Sequence, residues 1–342
     1  MAAPPTRFSD KKDNKTMTEK LTISGSADLI ATVPHLLGTE PKESFVVLTT
    51  RPGSLGASLR MDAPAGAGPG DYAQLMTTYA ANDEKATGSF VIVYTDEDPG
   101  YGYPYAAHVA ALTTELATAR MPVRLVLLVT GTYWAPYGTA EKNPLDGIRD
   151  SNANVTLTYY GSAPHLKVYN PEMLGTWAPP GQAPEGTDED LETACRTWAA
   201  VLDSAEMPDT DTARALAGAF QHRHIRDYLF RDTITTHNGS FGDVLTGKFT
   251  ARPDWDRVDR AEAIAFELMK AVPGGQRAPM LTLMGWLEWL KGSGTQADRY
   301  LKLAAEDVPG FRLAVLLREL INRGHVADAA RDADQSYKRR LI

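Results

Sequence analysis

A single cysteine, Cys195, is all the thiol chemistry in this 342-residue sequence. One cysteine excludes an intrachain disulfide and any multi-cysteine zinc site, and it fits a reducing compartment. It falls within the helical pattern Leu191-Glu-Thr-Ala-Cys-Arg-Thr-Trp198, where a thiol serves as a small buried hydrophobe rather than a nucleophile. Long apolar runs are missing too. None reaches the roughly 18 residues of a membrane span, and the polar, lysine-bearing N-terminus lacks the apolar core of a signal peptide. The expectation is a cytoplasmic chain, neither exported nor inserted.

Positive charge is in short supply: 35 Lys and Arg stand against 43 Asp and Glu, a formal net charge of −8. That sign opposes general attraction to phosphate backbones, so nucleic acid is not an expected partner. The basic stretches at Lys338-Arg339-Arg340 and at Arg7, Lys11, Lys12 and Lys15 read as solvated tails. Catalytic signatures are absent as well. No Walker loop, G-x-G-x-x-G, G-x-S-x-G or H-E-x-x-H occurs, and Gly66-Ala-Gly-Pro-Gly70 carries no lysine and reads as a surface loop. His222 and His224 are two apart on a presumed helix, pointing about 200° apart, which denies them a shared metal.

What the sequence does contain is an alternation of apolar runs and helical periods. Residues 24–38 read as a short helix bent at Pro34 and ending at Gly38, with Ser24 as its cap. Residues 44–50 and 56–62 flank Pro52-Gly53 as a hairpin. A helix over about 70–82 comes next, then a strand over 89–95, a helix over about 104–120 and a strand over 123–129. The face predicted for the second of these helices is Ala107, Ala111, Leu112, Leu116 and Ala119. The β-branched run Asn154-Val-Thr-Leu-Thr-Tyr-Tyr160 reads as a last, edge strand. This order predicts an α/β domain, a mixed sheet with helices on both faces.

Composition then turns to Pro, Gly and acidic residues, and six helical patterns follow without a strand: about 188–206, 209–231, 255–272, 279–291, 295–306 and 310–323. The expected organisation is a tail at 1–16, the α/β domain at 17–165, a Pro/Gly-rich linker at 166–190, an all-α helical domain at 191–330 and a basic tail at 331–342. Ordered pattern begins after Met17, which could be a natural start. Within the helical domain, Gly285, Ala297, Leu301, Ala304 and Pro309 keep the register of a tetratricopeptide-like helix pair spanning 278–311, although Leu281 and Glu288 replace the usual aromatics. One such pair cannot bury both faces, so it needs flanking helices.

Asp28-Leu-Ile-Ala-Thr-Val-Pro-His-Leu-Leu-Gly38 with Glu43-Ser-Phe-Val-Val-Leu48, Leu59-Arg-Met-Asp62, and Trp286-Leu-Glu-Trp-Leu-Lys-Gly292 through Phe311-Arg-Leu-Ala314 together resemble the actinobacterial and actinobacteriophage family catalogued as domain of unknown function 4192. The resemblance spans about residues 26–323; the proline-rich, cysteine-bearing segment that relatives show after the Trp134 region is missing. It implies a fold and a cellular context, and brings no catalytic residues with it.

Two functional readings remain. The first is a non-catalytic interaction protein without a cofactor, docking a protein partner through its helical half. Trp286 and Trp289, or the basic stretch with Arg223 and Arg226, would then form the contact; the bland alternatives are core tryptophans and a solvated helix face. The second is a nucleotide- or phosphate-binding enzyme or sensor using Mg or Mn. In that reading the strand ends, where open α/β sheets hold ligands, bring together Arg51, Asp96, Glu97, Asp98 and Tyr133. Its bland alternative is a solvated acidic turn before Pro99-Gly100. Oligomeric state is left open.

Overall fold

The computed structural model describes residues 21–97, 102–159, 183–204, 206–332 and 334–337. Residues 1–16, Lys338-Arg339-Arg340, Asp98, His165 and most of the 166–190 linker lie outside them, whereas 331–332 and 334–337 of the expected basic tail are described. The first half is one six-stranded sheet in the order β2-β1-β3-β4-β5-β6. β1 (Ser44–Arg51) runs antiparallel to both β2 (Ser54–Asp62) and β3 (Gly88–Tyr94), whereas β3 and β4 (Val123–Val129) are parallel. The mixed α/β sheet is therefore as the sequence order implies. Its central strands read as unbroken apolar runs because both faces are covered.

On one face α2 (Pro69–Ala80) and α3 (Ala106–Thr118) bury Phe45, Val47, Val91 and Val93. On the other α1 (Ser26–Leu37) covers Val46, Leu48, Ile92 and Leu127. α1 does continue through Pro34 and stops at Gly38, whose φ of 71° suits glycine. Its N-cap, however, is Gly25 rather than Ser24. The buried stripe of α3 is Val109, Leu112 and Leu116, so Ala107, which is exposed, was wrongly placed on that face.

The run at 154–160 is not an edge strand. Residues Asn152–Tyr159 form helix α5, and the edge is held instead by two short strands, β5 (Tyr133–Pro136) and β6 (Asn143–Pro144). The cause lies far away in sequence. The buried Asp28 carboxylate accepts the Ala153 amide at 3.0 Å and the Ser24 amide at 2.9 Å, capping the start of α5 from α1. Ala153 and Leu157, one helical turn apart, are buried beneath it while Val155 stays exposed. Tertiary capping and burial override the β-branched composition.

The second half is helical and forms its own core. α6 (Asp188–Asp203) opens on a capping box in which Thr187 and Asp190 exchange bonds. The single helix expected over 209–231 is two, α7 (Thr210–Ala219) and α8 (Arg223–Thr233). The chain tightens between them through Gln221 N–H to Gly218 O and His222 N–H to Ala219 O, and His222 is the extended N-cap of α8. His222 and His224 thus do not share a helix. α9 (Phe241–Thr246), α10 (Trp255–Met269), α11 (Ala278–Leu290), α12 (Gly294–Asp307), α13 (Arg312–Asn322) and α14 (Asp328–Arg331) complete the chain.

α11 is buried along its whole length, which is why its composition shows apolar residues on every side. It pairs with α12 across a short turn. A Cβ on Gly285 would lie 2.7 Å from Leu301 and 3.1 Å from the Ala297 carbonyl, so the missing side chain sets how closely the two helices cross.

Candidate functional site

The carboxyl ends of the parallel strands β3 and β4 lie side by side, which brings Asp96 beside the 130–133 turn. There Asp96 Oδ1 accepts the Gly131 amide. Glu43, held at a φ of 37°, accepts the Thr95 hydroxyl at 2.7 Å and the Asp96 amide at 2.8 Å. The Thr95 hydroxyl in turn accepts the Glu97 amide at 3.0 Å, and the Thr130 hydroxyl accepts the Tyr133 amide at 3.0 Å. Lys142 sits 4.4 Å above the Tyr133 ring. Burial, with a hydrogen bond to Glu97 next, pushes the Tyr105 phenol up to about 12. These carboxylates spend their hydrogen bonds on the surrounding loops. A Cβ on Gly131 would itself meet Asp96 at 2.9 Å, leaving little room beside that carboxylate.

Arg51 is not part of this group. Because β1 is antiparallel to β3, Thr50 pairs with Gly88 and Arg51 leaves the sheet at the start of β3, whereas Asp96 follows its end. The seven residues of β3 separate them by roughly 20 Å. Arg51 instead holds Asp83 at 2.7 Å, and the same carboxylate takes the Ala57 amide and the Thr49 hydroxyl. Burial pushes the Asp83 carboxyl up, but the bonds from Arg51, Thr49 and Ala57 outweigh it and hold it below the ordinary value. The expected convergence of Arg51, Asp96, Glu97 and Tyr133 is thus corrected by the antiparallel register of β1. Asp98 lies outside the described residues, among which no group of three or more His, Cys, Asp or Glu side chains could hold a metal ion.

The expected docking residues are also placed differently. Trp286 is fully buried with its indole N–H on the Leu245 carbonyl at 3.0 Å, and Trp289 is 4% exposed with its N–H on His325 O at 2.9 Å. Their role is to pack the core and satisfy loop carbonyls. Arg226 is half of an ion pair with Asp227 at 2.6 Å and covers the Phe311 ring, while Arg223 remains exposed.

A different site emerges where the two halves meet. Strand β2 is the edge strand opposite β6, and the helical half faces it across a cleft of about 1020 Å³. The junction is tight at its rim. Gly324, at a φ of 77°, lies flat against Tyr79 of α2, whose hydroxyl reaches Asn322 O at 3.5 Å, and Gly38 packs on Gln296 at the start of α12. The cleft floor is carried by Lys291, 3% exposed, which reaches Asp259 at 2.7 Å, Glu262 at 2.5 Å and Glu288 at 3.6 Å. Burial alone would lower the Lys291 ammonium, but the three carboxylates raise it and keep it charged.

Most charges lining this cleft are matched. Arg51 pairs with Asp83, Arg60 with Asp62 and Asp298 with Arg318. Lys42, Arg299, Lys302 and Arg331 also line it and form no ion pair among the described residues, with Glu40 the remaining acid of the lining. Thr295, Arg299 and Lys302 recur at i, i+4 and i+7, so one stripe of α12 faces the cleft. No spacing in the sequence announces this set, which is drawn from segments around residues 42, 299 and 331.

Sheet topology and helical half together define a two-part α/β plus all-α protein with a junction cleft. The chain belongs to the family described as domain of unknown function (DUF4192), whose model matches residues 27–169 and 172–326. No curated protein and no solved structure matches it. Among the described residues, no helix is long and apolar enough to cross a membrane.

Proposed function

We propose that this chain is a non-catalytic binding protein of the cytoplasm of an actinobacterium or its phage, and that it receives an anionic partner in the cleft between its two halves. The observation that carries the reading is the basic lining of Lys42, Arg299, Lys302 and Arg331, which forms no ion pair among the described residues, in a chain of net charge −8. A local cationic surface with low-dielectric walls concentrates anions against the sign of the whole molecule. A volume of about 1020 Å³ is at the upper end of ligand-sized clefts.

The helical half still supplies the docking surface, through the α12 stripe rather than through Trp286, Trp289, Arg223 or Arg226. The tetratricopeptide-like reading of α11 and α12 belongs to the same proposal, supported by the close approach of the two helices at Gly285. The alternative, a metal-dependent site at the strand ends, loses its phosphate-binding arginine to Asp83.

Thermal unfolding in the presence of inorganic pyrophosphate, and separately of poly-glutamate, tests the reading. An anion at 100 times its Kd stabilises by about 2.7 kcal/mol. The expected result is a shift with at least one anion that disappears in the Lys42→Glu/Arg331→Glu double variant. Stabilisation by neither, or an equal shift in the double variant, overturns it.

A further inference from the structure

The first turn of α12 is left open in a way its sequence does not require. Ser293-Gly294-Thr295-Gln296 carries the spacing of a capping box, in which a Ser side chain and a Gln side chain close on each other's backbone amides. Neither half of the box is made. The Ser293 amide donates to Glu288 O at 2.8 Å, and no side chain caps the helix. The first bond into the helix is Ala297 N–H to Ser293 O, so the amides of Gly294, Thr295 and Gln296 have no partner within it.

No acidic residue stands in the first turn to offset the helix dipole. Gly292, Ser293, Gly294, Thr295 and Gln296 all line the cleft, and the space around Gly294 is open, with nothing within 4 Å of where its Cβ would be.

The second observation is Gln296. Its residue is 5% exposed, it lines the same cleft, and its side-chain oxygen has no hydrogen-bond partner. A buried amide oxygen without a donor costs free energy that an occupant with a hydroxyl or N–H would recover.

We propose that the N-terminus of α12 is a phosphate subsite for a phosphorylated small molecule, resting on the reading that the cleft binds anions. The amides of Gly294, Thr295 and Gln296 donate to the phosphate oxygens and the N-terminal dipole favours its charge. Arg299 and Lys302, one and two turns further along the same stripe, neutralise a second phosphate or carboxylate. The Gln296 oxygen receives a hydroxyl or N–H of the same ligand. Lys291, beside the turn, is neutralised by Asp259, Glu262 and Glu288 and contributes no free charge.

Gly294→Asp tests the position directly. The new carboxylate enters open space at the helix start, where it caps the free amides itself, so the fold is retained or stabilised while an incoming phosphate meets a negative charge. Calorimetric titration of the full chain with inorganic pyrophosphate is the readout, with poly-glutamate as a parallel arm.

The expected result is a loss of pyrophosphate affinity of at least tenfold in Gly294→Asp, with an unfolding temperature no lower than that of the parent. Gln296→Leu leaves pyrophosphate affinity within about twofold but lowers affinity for glucose 6-phosphate, which offers hydroxyls. Equal pyrophosphate affinity in Gly294→Asp, with loss in Lys42→Glu/Arg331→Glu, overturns the subsite and leaves the cleft reading standing. Binding of poly-glutamate alone overturns the phosphate assignment. Binding of neither probe overturns both.

Discussion

Two rims of the same sheet differ in what their polar groups have left to give. At the ends of β3 and β4, Glu43, Thr95, Asp96 and Thr130 direct their side chains to neighbouring loop amides and hydroxyls. At the β2 edge, the facing helix α12 keeps three amides without a partner inside the helix, and four cations form no ion pair among the described residues. The first rim is where an open α/β sheet conventionally holds a ligand. Here its acidic residues hold loops together. Residue type at a favourable position is therefore insufficient; what distinguishes a binding surface is unspent hydrogen-bonding and charge capacity.

The comparison breaks most severely at Lys291. Lys291→Met leaves Glu262 and Glu288 buried without their cation and is expected to cost about 3–5 kcal/mol in chemical denaturation, the range for breaking a buried ion pair. A loss below about 1 kcal/mol would show that the cleft floor is wetter than its 3% exposure implies.

Asp83 gives the next largest effect and adds a pH signature. Asp83→Asn weakens the bonds to Arg51, Thr49 and Ala57 and is expected to cost about 2 kcal/mol, below the buried-pair range because Arg51 is 37% exposed. The Asp83 carboxyl is held lower in the folded chain than in the unfolded one. Its contribution is therefore present above the unfolded value, about 3.9, and lost as pH falls through the folded value. The stability gap between parent and variant should be full at pH 7 and shrink in acid. A gap that widens on acidification would contradict the network.

Gly324→Ala is smaller still. The substituted residue must keep a φ of 77° and displace the Tyr79 ring, so about 1–2 kcal/mol is expected, together with loosening of the junction. Small-angle scattering should show a larger radius of gyration than for the parent; an unchanged radius with unchanged stability would show that the contact does not set the cleft width. Asp96→Ala should matter least. It removes one bond at an exposed loop, for about 1 kcal/mol or less, and leaves pyrophosphate affinity unchanged. A loss of affinity there would move the site back to the strand ends.

Much of this fold is legible in the sequence because its strongest signals are local. The runs around Val46, Val91 and Leu127 announce covered strands, and the apolar run over 278–290 announces a buried helix. The exceptions are set from a distance. α5 looks like a strand until Asp28, 125 residues away, caps it, and the break between α7 and α8 falls at Phe220-Gln221-His222, where no proline marks it. β5 and β6, with 4 and 2 residues, are too short to show a period.

The candidate site was less legible for the same reason. Asp96 lies against Gly131 of the 130–133 turn, since parallel neighbouring strands align their ends. Arg51 does not, because an antiparallel register reverses which end of a strand meets which. The cleft draws its cations from segments some 260 and 290 residues apart in sequence, and three of its donors are backbone amides that no residue type reveals.

Hydrogen exchange of the parent chain with and without saturating inorganic pyrophosphate separates the two rims in one experiment. Slowed exchange of the amides at 294–296, with little change at 95–97 and 130–133, is the result this account predicts. Slowed exchange confined to the β3 and β4 ends, with the first turn of α12 unaffected, would contradict it.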